Sequence, residues 1–163
     1  MGMDPFNFAD ALIGILAQRL TKKLCAKCKK PHKATQEDLD LLMYEYAQEL
    51  LNTTAWQENP EAALAAVHEE WIKHFGNDRG EITLYSAEGC DECDNTGYRG
   101  RVGLHELLVG SEAIKHLIHE HARVAQIFST AIEEGMRTLK QDGIEKVLQG
   151  ITDINQVRAV CSR

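Results

Sequence analysis

Leu24-Cys25-Ala26-Lys27-Cys28 and Gly89-Cys90-Asp91-Glu92-Cys93 are the two stretches on which the reading of this chain turns. Two residues between cysteines let one backbone turn aim both sulfurs at a single ion about 2.3 Å away. Two such pairs can therefore supply four thiolates to one tetrahedral Zn²⁺. The pairs are 61 residues apart, longer than the usual spacing of roughly 15–20. Stretching a loop that far costs about 1 kcal/mol of closure entropy, against roughly 10–16 kcal/mol contributed by a structural zinc. Four cysteine ligands leave no open coordination position, so Cys25, Cys28, Cys90 and Cys93 are read as a structural zinc site. The competing reading is a small redox protein with a low-pKa thiol at Cys25 or Cys90. A reactive Cys-x-x-Cys sits at a helix N-terminus, whereas Cys25 is expected just past a helix C-terminus. The fifth cysteine, Cys161, reads as a small buried apolar residue.

Upstream of Cys25, Phe8, Leu12, Leu16, Leu20 and Leu24 recur every four residues, which predicts a helix from Asp4-Pro5 to Lys22-Lys23. Between the cysteine pairs, Thr35 and Asp38 form a capping box ahead of Leu39, Leu42, Met43, Tyr46 and Leu50. Asn59-Pro60 starts a second helix, with Leu64, Val67, Trp71 and Phe75 on one face and Gly76 as its stop. Trp56 and Trp71 read as the core of this insert. Short strands are expected at Glu81–Tyr85 and Arg101–Val109. Helices follow, capped by Ser111 and, at the end, by Thr152, with Gly135 and Gly150 as stops. The fold class is therefore mainly α with a small β element: a helical domain organised around a four-cysteine zinc site, with a helical insert between the two knuckles. The expected segments are a helix over 1–24, a zinc-binding module over 25–93 with its insert at about 35–80, and a C-terminal strand and helical subdomain over 94–163.

The chain has 163 residues and a net charge of −7, which argues against a nucleic-acid binder. Arg19, Lys22, Lys23, Lys27, Lys29, Lys30 and Lys33 lie in one acid-free run, so the remainder carries −14. Counter-charge for the zinc thiolates is the first reading of this run. An anionic membrane surface or acidic partner met by Lys22–Lys33 is the second. Arg99 and Arg101 flank Gly100 and also suit a phosphate or carboxylate partner. His116 with His119, His32, and His105-Glu106 read as solvated or structural rather than as ligands or catalysts. No apolar stretch approaches the 20 or so residues of a membrane span. Gly-x-x-x-x-Gly-Lys-Ser/Thr and Gly-x-Gly-x-x-Gly are both absent, so no complete active site is present.

Five stretches together resemble the C-terminal part of the assembly ATPases of type II secretion and type IV pilus systems. They are Ile13-Gly-Ile-Leu-Ala-Gln-Arg-Leu20, Leu24–Cys28, Gly89–Leu108, Gly135-Met-Arg-Thr-Leu-Lys-Gln-Asp-Gly143 and Val147-Leu-Gln-Gly150. The insert matches poorly and is long for that family. The resemblance implies a hexameric, cytoplasmic motor on the bacterial inner-membrane face, with inner-membrane assembly-platform proteins and neighbouring subunits as partners and no specific nucleic acid. It carries the zinc ligands over to the four cysteines. The ATP- and Mg²⁺-binding segments of such motors would lie upstream, so the chain reads as an excised, non-catalytic fragment of an ATPase. Arg19, Arg99 and Arg101 are the candidates for subunit or nucleotide contacts. The alternative is a stand-alone zinc-ribbon interaction or nucleic-acid-binding module.

Overall fold

A computed structural model describes residues 4–161. Helices account for about half of the chain, and the β structure is two separate two-stranded sheets. The helix expected over the opening segment does not form as one element. Helix α1 spans Pro5–Ala11, and strand β1 then runs Gly14–Leu24. Strand β1 pairs antiparallel with β4 (Tyr98–Val109), from Gly14 opposite Val109 to Leu24 opposite Tyr98, with a register shift between Lys22 and Leu24. The long partner strand satisfies the β1 backbone, and that tertiary pairing overrides the local helical pattern. Lys22 and Lys23 accordingly end a strand and not a helix.

One face of this ribbon is covered and the other is open. Leu104 is fully buried and Thr21 is nearly so, against α7 (Leu139–Leu148) and α8 (Ile154–Val160). The Thr21 hydroxyl donates to Gln156 O at 3.0 Å, and Leu24 N donates to Ile151 O at 2.9 Å. On the opposite face Leu16, Leu20, Leu107 and Val109 are each at least half exposed. Thr152 was expected to cap the last helix. Its hydroxyl instead donates to Lys22 O at 2.8 Å, and Asp153 caps α8 by accepting from Gln156 N.

Strand β2 (Lys30–Lys33) pairs antiparallel with β3 (Thr83–Ser86). Between them lie α2 (Gln36–Ala47), α3 (Thr54–Glu58) and α4 (Pro60–Phe75). The capping box of Thr35 and Asp38 is present at the start of α2, and Asn59 caps α4 ahead of Pro60. The buried faces of α2 and α4 meet at Tyr46 and Trp71, whose rings pack edge to face at 5.4 Å between centroids. They join Leu42, Ile82 and Leu84 from the middle of the chain and Ile144, Val147 and Val157 from its end in one core. Trp56, also expected in that core, is only partly buried. Cys161 packs at the margin of the core, partly exposed.

A second, smaller core holds Leu12 of the α1–β1 loop, Ile114 of α5 (Glu112–His119) and Ala131 of α6 (Val124–Glu133). Ser111 caps α5 as expected, accepting from Ile114 N at 3.2 Å.

Candidate metal centre

Cys25 and Cys28 sit in the turn that follows β1. Cys25 N donates to Gly97 O at 2.9 Å, and Cys25 O accepts from Cys28 N and Lys29 N, which folds the knuckle. Cys90 and Cys93 bracket a single 3-10 turn over Asp91–Cys93. Asp94 and Asn95 leave it with φ of 53° and 60°, and Gly97 with φ of 83°. An added Cβ at Gly97 would fall 2.7 Å from Ala87 Cβ, so glycine is needed there for both its torsion and its close approach.

These two turns bring the four sulfurs within 4.8 Å of one another. Cys25 to Cys90, Cys28 to Cys93 and Cys90 to Cys93 are each 3.8 Å apart. A tetrahedron with metal–sulfur bonds of about 2.3 Å has edges of about 3.8 Å, so the cluster has the dimensions of a four-thiolate site. A disulfide would need about 2.05 Å. Backbone N–H groups point at sulfur. Gly89 N reaches Cys28 Sγ at 3.3 Å, and Cys90 N and Gly97 N each reach Cys93 Sγ at 3.2 Å.

The thiol acidities divide. Burial pushes the Cys28 thiol up to about 12, more than the Gly89 N–H can offset. Burial also opposes ionisation of Cys93, but the amides of Cys90 and Gly97 outweigh it and bring this thiol down to about 6. Cys25 is lowered against its burial by the amides of Lys27 and Cys28. Four thiolates this close repel one another, so full ionisation requires a cation among them. Cys25 follows strand β1, so it does not open an α-helix as the first cysteine of a redox pair usually does.

Part of the basic run is neutralised inside the molecule: Lys27, Lys30 and Lys33 each face a carboxylate. Glu92 accepts from Lys27 at 3.2 Å and also from Arg99. Lys30 faces Glu88 at 3.7 Å, and Lys33 faces Glu81 at 2.9 Å. Lys29 donates to Gly150 O at 2.7 Å and lies 4.4 Å above the Tyr85 ring. Lys27–Glu92–Arg99 therefore straps the first knuckle to the second across the cysteine cluster. This internal pairing was not expected from the sequence, because it joins residues 65 positions apart. Arg19, Lys22, Lys23 and Arg101 are exposed and have no acidic partner among the described residues. Lys22 and Arg101 are directly opposite in the ribbon. His32 is exposed and lies 4.0 Å from Asp38, and His116 pairs with Glu120. His105 is exposed, and the Glu106 carboxylate accepts from Leu139 N at 3.0 Å.

Residues 1–159 match the sequence profile of the family described as Type II/IV secretion system protein. The chain is similar to the type IV pilus assembly ATPase PilB of Thermus thermophilus, 35% identical over 98% of this chain and 14% of that protein. It is also similar to the type II secretion system ATPase E of Vibrio cholerae, 34% identical over 98% of this chain and 25% of that protein. PilB of Pseudomonas aeruginosa is 34% identical, with 98% and 23% covered. The chain thus spans a quarter or less of the length of these relatives.

Proposed function

The chain belongs to the Type II/IV secretion system protein family, and from that premise we propose that it is the zinc-stabilised, non-catalytic C-terminal part of a secretion or pilus-assembly ATPase. The observation that carries the metal reading is the set of 3.8 Å sulfur–sulfur edges. In this reading Cys25, Cys28, Cys90 and Cys93 hold Zn²⁺, which contributes folding energy and a net charge that the thiolates offset. The N–H groups of Gly89, Cys90 and Gly97 orient the sulfurs, and the Lys27–Glu92–Arg99 strap holds the two knuckles in register. Support for a non-catalytic role comes from the missing phosphate-binding motif: no Gly-Lys pair occurs in the sequence.

ATP and Mg²⁺ then belong to other segments of a longer motor. That motor is proposed to be a cytoplasmic hexamer on the inner-membrane face, engaging assembly-platform proteins there. Arg19 and Arg101, exposed and without acidic partners among the described residues, are the stronger candidates for a neighbouring subunit or a nucleotide, and Arg99 is already committed to Glu92. Of the basic run, Lys22 and Lys23 remain for an anionic membrane surface.

Elemental analysis of the reduced chain, beside Cys93→Ser, tests the proposal together with an ATP-hydrolysis assay. The expected result is one zinc per chain, lost in the variant, and no ATP turnover. A folded, reduced chain without metal would overturn the zinc reading, and ATP turnover would overturn the non-catalytic one.

A further inference from the structure

Strand β4 has a second edge, away from β1, and part of it is left open. The His105 N–H points to that edge and donates to Asp142 Oδ2 at 2.8 Å. Main-chain groups alternate sides along a strand. The register from Gln18–His105 to Gly14–Val109 has no shift, so Leu107 and Val109 face the same way as His105. Gly110, one position on, faces the other way and donates from its N to Ile13 O at 2.8 Å, as the alternation requires. The Val109 carbonyl is taken by Ser111 N at 2.9 Å. The Leu107 N–H, the Leu107 carbonyl and the Val109 N–H are left without a partner among the described residues.

A hollow of about 330 Å³ lies beside these three groups. It is lined by Leu107, Leu108 and Val109 of the strand and by Ala131, Gly135 and Met136 at the end of α6 and just beyond it. Gly135, with φ of 106°, has nothing within 4 Å of the point a Cβ would take, so the approach is clear. Leu107 and Val109 are 51% and 57% exposed. The charges around the hollow balance. Arg137 carries one positive charge and Glu134 one negative, in a chain of net −7. Glu134 is already held by the Ser111 hydroxyl, which donates to it at 2.8 Å.

We propose that this edge receives an extended, uncharged segment of a partner polypeptide, which adds to β4 as a strand and seats an apolar side chain in the hollow. One residue of an antiparallel strand exchanges two main-chain hydrogen bonds with Leu107. The carbonyl two positions before it accepts from the Val109 N–H. Such main-chain bonds supply affinity, and a hollow that takes alternate side chains supplies selectivity. A helix has its interior N–H and C=O groups already bonded, so it cannot meet these three groups. A charged segment finds no net opposite charge here. The inference is independent of the metal cluster.

The probe is the capped pentapeptide acetyl-Thr-Val-Thr-Val-Thr-amide, titrated into the 163-residue chain while backbone amide resonances and their exchange with solvent are followed. Its fully N-methylated counterpart keeps the side chains and carbonyls and offers no N–H to the Leu107 carbonyl. The parent peptide is expected to shift the amides of Leu107, Val109 and Gly135 and to slow exchange at Leu107 and Val109. The N-methylated peptide is expected to bind about tenfold more weakly, the scale of one hydrogen bond. Leu107→Pro removes the outward N–H and leaves the bonds to β1 in place, because proline is tolerated where a strand N–H faces away from its neighbour. That variant is expected to fold and to weaken binding by about the same factor. Peptides with both valines exchanged for lysine or for glutamate are expected to bind more weakly than the parent peptide. If Leu107→Pro fails to fold, the peptide comparisons decide alone. The proposal is overturned by any of these results: no shift at millimolar peptide, equal binding of the N-methylated peptide or of a charged one, or undiminished binding to a folded Leu107→Pro chain. Shifts at Leu107 and Val109 that grow with chain concentration alone would assign the edge to a second copy and overturn it too.

Discussion

Replacing Gly143 with alanine should destabilise the chain, although helix propensity alone says the opposite. Gly143 lies inside α7, where alanine is favoured over glycine by about 0.8–1 kcal/mol. The helix, however, is pressed against both α8 and the ribbon at that residue. An added Cβ would lie 2.5 Å from Val157 Cγ1, 3.0 Å from Val157 Cγ2 and 3.2 Å from Leu104 Cδ1. Val157 and Leu104 are both fully buried, and a valine in a helix has one strongly preferred rotamer, so neither can swing aside. Overpacking of this kind costs about 1–3 kcal/mol, and a 2.5 Å contact belongs in the upper half of that range. The net loss is about 1–2 kcal/mol after the propensity gain. For a chain of this length that lowers Tm by roughly 2–8 °C. Thermal unfolding followed by circular dichroism, with metal saturating and thiols reduced, reads the shift. Adding Val157→Ala should recover part of the loss, giving a double variant less destabilised than the two single effects combined. A Tm equal to or above that of the parent chain would refute the close approach of α7 to α8 and the ribbon.

Two further outcomes follow from the same packing. Glu45 accepts from Arg158 Nε at 2.9 Å and from Arg158 Nη2 at 3.1 Å, with Lys140 Nζ at 3.5 Å. Burial alone would raise the Glu45 carboxyl, but Arg158 and Lys140 outweigh it and hold it below the ordinary range. Its stabilisation is thus complete above the carboxylate pKa of the unfolded chain and fades as pH falls through the lower folded value. Glu45→Gln should therefore cost about 1.5–3 kcal/mol at neutral pH and progressively less in acid. Denaturant titrations at several pH values would show it, and a pH-independent difference would contradict the assignment. Gly97→Ala should loosen the metal cluster, because it strains a positive φ of 83°, drives a Cβ into Ala87 and displaces a donor to Cys93 Sγ. Competition with a chromogenic chelator should show metal released faster than from the parent chain, and equal retention would argue against that donor's role.

The elements legible in the sequence are those fixed by near neighbours. Thr35 with Asp38, Asn59 with Pro60, and Ser111 each start a helix within four residues of the signal. The cysteine cluster was legible for the same reason, since each pair is set by one local turn. Strand β1 was not. Leucines at 16, 20 and 24 are spaced by four, which is close to one helical turn and is also an even number of strand residues. What decides between the two is β4, more than seventy positions away. Long separation also hid the Lys27–Glu92 strap, 65 positions across, and the diversion of Thr152 to Lys22 O, which handed the helix cap to Asp153. Neither pairing has a local signature.

The position of the cysteine cluster also bears on how quickly the chain can fold. Strand β1 ends at Leu24, one residue before Cys25, and β4 begins at Tyr98, five residues after Cys93. The ribbon is a hairpin whose loop would be more than seventy residues long if the chain alone closed it. An ion held by both cysteine pairs shortens the path between strand ends to a handful of residues. That removes about 2 kcal/mol of closure entropy from the pairing step. Such an ion would act as the hairpin's turn, giving a pairing of high sequence separation the kinetics of a local one.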